Sequence, residues 1–167
     1  MTSRNSKRFA ASGRAAGLVL AGMLFLGSGL TARAQSADAR SRNGLEGTWR
    51  VQVTVSDCET GAVLRTFPAL FAFAKGGTVT NTTAGQFPAL FTPGFGVWRH
   101  SEGHTYSAVS EAFVFSPAGA WIQTHRLTRV ITVDGDEFTD KVALEIFDTS
   151  GNLIVTGCGT SVATRFK

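Results

Sequence analysis

The sequence predicts an all-β fold, an eight-stranded antiparallel up-and-down barrel. Three observations lead there. After Leu45, runs rich in Val, Ile, Thr and Phe recur at short spacing. Between them lie turn-forming clusters of glycine, serine, proline and aspartate. No segment shows a capped apolar period of about 3.6 residues, so helices have no claim on the chain.

The first strand, expected at 46–56, alternates Trp49, Val51, Val53 and Val55 with Arg50, Gln52, Thr54 and Ser56. That one-sided pattern turns the tryptophan face inward. The turn D-C-E-T-G at 57–61 leads to a second strand at 62–74, and K-G-G at 75–77 to a third at 77–83. Residues 84–94 contain two prolines and two glycines, too irregular for a central strand. A fourth strand at 95–100 and a fifth at 104–115 flank S-E-G at 101–103, and S-P-A-G at 116–119 leads into a sixth at 120–133. Asp134-Gly135, the strongest short hairpin signal, joins it to a seventh at 136–148, and T-S-G at 149–151 leads to the eighth at 152–166. Such a meander leaves two free edges, and closing it into a barrel removes both.

A two-residue loop at Asp134-Gly135 would set Val133 against Asp136, Ile131 against Phe138, Arg129 against Asp140, Leu127 against Val142, His125 against Leu144 and Gln123 against Ile146. This mostly apolar set faces inward, and the alternate set of Thr128, Lys141, Thr124, Glu145, Ile122 and Phe147 faces outward. Carried back over 116–119, the register puts Tyr106, Ala108, Ser110, Ala112 and Val114 inside, with Ser110 opposite His125 and Glu111 outside. Carried forward without a bulge, it turns Arg165 outward.

The N-terminus reads as a secretory leader. Residues 1–14 carry four positive charges, 15–32 are uncharged and mostly apolar, and Ala32-Arg33-Ala34 supplies small residues where a signal peptidase reads. Cleavage is expected after Ala34. Five glycines within 13–29 and the A-x-A ending weigh against an uncleaved anchor, so no membrane span is expected after processing, and the protein should be periplasmic or secreted. Residues 35–44 are a polar lead-in, and 45–167 form one domain.

Processing also changes the charge. The full chain is +4, but Arg4, Lys7, Arg8, Arg14 and Arg33 all precede residue 35, leaving 11 basic against 12 acidic side chains. A near-neutral protein lacks the clustered cations that hold phosphate backbones, so nucleic acid is not an expected partner. Cys58 and Cys158, an even pair in an exported chain, are expected to form one disulfide.

The inner face carries Tyr106, Ser110, Gln123 and His125 among Leu127, Val142, Leu144 and Ile146. Buried polar groups need partners, and a few of them converging on apolar walls suits a small-molecule pocket; mutual satisfaction with ordered water is the other reading. Trp98 and Trp121 are expected in its wall, and Trp49 at its closed end. The pentapeptide F-P-A-L-F occurs at 67–71 and 87–91, and its second copy suggests a portal formed by Phe87, Leu90 and Phe91. With 13 Phe and 1 Tyr, the walls favour a mainly apolar ligand.

Histidine titrates near neutrality, which makes His125 the candidate for acid–base work. No orienting carboxylate or G-x-S-x-G elbow accompanies His125 and Ser110, so hydrolysis is not expected. His100, Glu102 and His104 flank a turn but lack further ligands, so no metal or other cofactor is expected. Arg129 and Asp140 read as a structural or rim salt bridge.

Leu45-Glu46-Gly47-Thr48-Trp49 opening the first strand, with Arg165 closing the last, resembles the Gly-x-Trp and C-terminal arginine arrangement of the calycin superfamily of lipocalins, avidins and fatty-acid-binding proteins. The resemblance implies an eight-stranded barrel with a ligand cavity, in which Arg165 covers Trp49. The meander is also similar to barrels of the allene-oxide-cyclase and dirigent type. That likeness implies cyclisation or isomerisation of a small apolar molecule, for which His125, Tyr106 and Gln123 would be the catalytic candidates. The expected function is binding of a small hydrophobic molecule in the lumen, with the cyclase and a structural barrel with a packed lumen as alternatives.

Overall fold

The computed structural model describes residues 44–167. The expected leader, and the lead-in up to residue 43, lie outside the described residues. Eight strands follow: β1 (Gly47–Ser56), β2 (Val63–Ala74), β3 (Thr78–Thr83), β4 (Gly94–Glu102), β5 (Thr105–Phe115), β6 (Trp121–Asp134), β7 (Glu137–Phe147) and β8 (Leu153–Arg165). Each pairs antiparallel with the next, and β1 pairs with β8 to close the barrel. Seven of the eight lie within about a residue of their expected ends; β4 runs two residues further, to Glu102.

The β6–β7 register departs from the expected one by two residues. His125 faces Ile146, Leu127 faces Leu144, Arg129 faces Val142, Ile131 faces Asp140 and Val133 faces Phe138. Asp134 pairs with Glu137, so the loop is Gly135-Asp136 rather than Asp134-Gly135. Gly135 takes the positive φ (58°) at the first loop position, and the Asp136 carboxylate is held by Arg165 Nε at 3.2 Å. A shift of two leaves every side chain on its expected face, because the pleat repeats every two residues. β5 moves likewise: Ala112, not Ser110, lies opposite His125, and Ser110 faces Leu127.

Arg165 is turned inward, contrary to the bulge-free register. A bulge between Ile146 and Phe147 shifts the β7–β8 pairing by one residue, which exchanges the faces of β8. Arg165 thereby pairs with Trp49 across β1–β8, its guanidinium 4.1 Å from the indole ring. It also donates to the Glu46 carbonyl and, at 2.6 Å, to the Gly44 carbonyl.

The lumen has two halves. In the closed half Trp49, Leu45, Ile131, Val133, Phe138 and Phe73 are almost wholly buried. Trp49 meets Phe138 edge-on with centroids 4.9 Å apart and donates from Nε1 to the Leu45 carbonyl at 3.0 Å. At the open end two turns are built alike. Asp57 Oδ1 accepts from the Thr60 and Glu59 amides, and Asp148 Oδ1 from the Asn152 and Ser150 amides. Hydrogen bonds from Thr60 at Asp57, and from Asn152 at Asp148, hold both carboxyls below their usual range.

The disulfide joins Cys58 to Cys158 with Cα atoms 5.2 Å apart, across 100 residues of chain. It sits where Ser56 pairs with Cys158, so it fastens the seam between the first and last strands. Replacing both cysteines by serine is expected to remove about 2–4 kcal/mol of unfolding free energy, mainly by freeing the unfolded chain. A lower midpoint in urea denaturation, reproduced by reducing the wild-type protein, is the check.

Candidate functional site

Larger depressions lie on the barrel exterior, such as one of ≈ 540 Å³ floored by Arg50, Gln52, Leu70 and Val162, but these are solvent-open grooves between surface side chains. The expected site residues His125, Leu127, Leu144 and Phe91 line a lumenal cleft of ≈ 90 Å³ in the open half. Val53 and Val55 from β1, Phe67 and Phe71 from β2, and Leu127, Val142 and Leu144 from β6 and β7 form its apolar walls. Asn81, Thr83 and Gln86 line one side, with Phe91 and Arg65 toward the mouth and Arg129 beneath.

The cleft stays open because one wall lacks side chains. β8 places Gly157 and Gly159 on its inner face, opposite Leu144 and Val142. At Gly159 a Cβ would stand 2.6 Å from the Thr54 carbonyl oxygen, so the close approach of β1 and β8 requires glycine there. On β4, a Cβ at Gly94 would stand 2.6 Å from Asn81 Oδ1. Gly94 therefore leaves room for the Asn81 carboxamide, which donates to Ser110 Oγ at 3.0 Å.

The inner series of β6 alternates polar and apolar side chains at the open end, His125, Leu127 and Arg129, and is apolar toward the closed end, Ile131 and Val133. His125 is buried, packs edge-on against Phe91 with centroids 5.3 Å apart, and lies 3.4 Å from Gln123 Oε1. Burial, and secondarily the positive charge of Arg65, lower its pKa, so the neutral ring is favoured. With the folded pKa below the unfolded value, the unfolded state takes up protons first as pH falls. Stability is therefore fully present above about pH 6.5 and is lost as pH drops toward the folded pKa. The urea midpoint is expected to fall between pH 7.5 and pH 5 in the wild type and to fall less in His125→Gln.

Arg129 and Asp140 form a buried pair rather than a rim bridge, with side chains only 5% and 0% exposed. The contact is diagonal, since Arg129 faces Val142 and Asp140 faces Ile131 in register. Arg129 Nη1 also donates to Ser161 Oγ at 3.2 Å, and the guanidinium lies 4.5 Å from the Phe71 ring. Arg129 Nε and Asp140 Oδ1 are buried with no hydrogen-bond partner.

Among the residues expected at the site, His125, Leu127, Leu144 and Phe91 line the cleft, and Gln123 adjoins it through His125. Ser110 stands behind Asn81. Tyr106 lies toward the closed end, packed by Trp98 and His100, and Trp98 donates to the Ala74 carbonyl at 3.1 Å. Trp121 is on the outside against Phe113, 44% exposed, and Phe87 projects into solvent at 73%. Six residues of β5 separate Tyr106 from Ala112, the partner of His125, which puts Tyr106 about 20 Å along the strand from His125. His100 is tied into its own turn through Nε2 and the Gly103 carbonyl at 2.9 Å. Among the described residues no three His, Cys, Asp or Glu side chains gather as a metal site would require. Sequence reasoning missed Asn81, Phe67 and Arg65. The first F-P-A-L-F copy held a signal for Phe67, because its Phe67 and Phe71 fall on one face of β2 with Ala69 between them.

No protein-family model matches the chain, and no curated protein matches it.

Proposed function

We propose that this chain is an exported, calycin-like barrel that binds a small, mainly apolar molecule in the open half of its lumen. The observation that carries the reading is a cleft with apolar walls and a few polar groups in a barrel whose other half is tightly packed. The arginine laid over the tryptophan at the closed end supports the calycin likeness. The disulfide suits an oxidising compartment, in line with export. The lumen holds the apolar core, and the outer face mixes Arg50, Glu111, Arg126 and Lys141 with exposed Leu70, Val109, Val130 and Val162.

At ≈ 90 Å³ the cleft is smaller than an engineered cavity of about 150 Å³ that holds benzene, so it suits a small ring or short aliphatic chain that reaches out toward the mouth. Ligand pockets commonly measure roughly 300–1,000 Å³, and this difference favours the second reading, a barrel whose lumen is essentially structural. The cyclase reading has less support, because His125 and Gln123 adjoin but Tyr106 lies far from both. The test is titration of the purified protein with six-carbon rings and chains, followed by NMR. Shifts confined to His125, Leu127, Leu144 and Phe91 are expected, and their absence across the panel would leave the structural reading.

A further inference from the structure

Resting on the binding reading above, we infer that the cleft selects a ligand carrying one neutral hydrogen-bond acceptor, a carbonyl or ether oxygen, which it receives at Arg129. Arg129 lines the cleft, its side chain is only 5% exposed, and its Nε–H has no partner. A buried donor without an acceptor is costly, and a ligand oxygen would relieve that cost on binding. Nη1 of the same guanidinium donates to Asp140 and Ser161, and the group lies over the Phe71 ring.

The charge balance decides against an anion. Asp140 already compensates Arg129, and the cleft's other cation, Arg65, is exposed and lies toward the mouth, so a ligand carboxylate carried down to Arg129 would bring a second negative charge to a desolvated pair that is already neutralised. His125 does not supply the missing charge, because burial and Arg65 favour its neutral form. A pure hydrocarbon would fit the walls formed by Val53, Leu127 and Leu144 but leave Nε–H unanswered. Asp140 is not among the residues lining the cleft, so its own unpartnered oxygen does not call for a donor on the ligand.

The experiment compares hexan-2-one, hexane and hexanoate by titration calorimetry or NMR. The ketone is expected to bind about tenfold more tightly than either of the others, the worth of one hydrogen bond from a charged donor. In infrared spectra of wild-type protein, the carbonyl band of bound ¹³C-labelled ketone should move to lower frequency. In the double variant Arg129→Met with Asp140→Leu, the ketone's advantage over hexane and the band shift should both vanish. Equal binding of ketone and hexane, an unshifted carbonyl band, or preference for hexanoate would each overturn the head-group assignment while leaving the cleft a binding site. Binding by none of the three would overturn the pocket reading and this inference with it.

Discussion

Trp49→Ala is expected to lower the unfolding free energy by about 3–5 kcal/mol, the usual cost of truncating a fully buried aromatic side chain. The site gives little scope for collapse. Trp49 is 0% exposed, its ring meets Phe138, its Nε1 holds the Leu45 carbonyl, and Arg165 covers its face. Truncation would open a cavity beneath Arg165 and also remove a cation–π contact. The thermal midpoint should fall by roughly 10–20 °C for a domain of this size. Trp49→Phe keeps most of the ring and loses the indole donor, and should cost about 1–2 kcal/mol. Thermal unfolding followed by near-ultraviolet circular dichroism separates the two. A small loss in Trp49→Ala would mean that the closed half is not the main source of stability.

Arg129→Ala is the second large effect, also about 3–5 kcal/mol, because it strands the wholly buried Asp140 carboxylate. The pH dependence identifies the cause. Acidification neutralises a stranded carboxylate, so the stability gap between variant and wild type should narrow as pH is lowered from 7 toward 4. A gap set by lost packing alone would stay constant. Replacing both partners with Met and Leu should bring stability back to within about 1 kcal/mol of wild type or above it, because an apolar pair needs no compensation. Chemical denaturation of the three proteins at several pH values decides between these outcomes.

The strand count, the closure and nearly all strand ends were legible because alternation and glycine-centred turns are local signals. Trp49, Val51 and Val53 announce their face by sequence alone. Registers were less legible. A two-residue shift at Gly135-Asp136 changes no face, so no hydrophobic pattern could report it; the positive φ of Gly135 and the distant Arg165 on Asp136 accompany it. The bulge at Ile146 and Phe147 likewise leaves no mark in the alternation before it, yet it decides where Arg165 points. At the candidate site, His125, Leu127, Leu144 and Phe91 were found by alternation and loop composition. Asn81 and Arg129 were harder, because one depends on the space left by Gly94 and the other on a diagonal contact across β6 and β7. Trp121 was expected to line the lumen, but Phe115 faces Trp121 across an irregularity after Val114, and its ring rests on Phe113 outside.

The bond from Arg165 to the Gly44 carbonyl brings the lead into β1 and the end of β8 together beneath the tryptophan plug. A tag or fused neighbour attached beyond Lys167 therefore hangs from the sealed base. The opposite rim, with Phe87 and Arg65, remains presented to whatever the molecule meets.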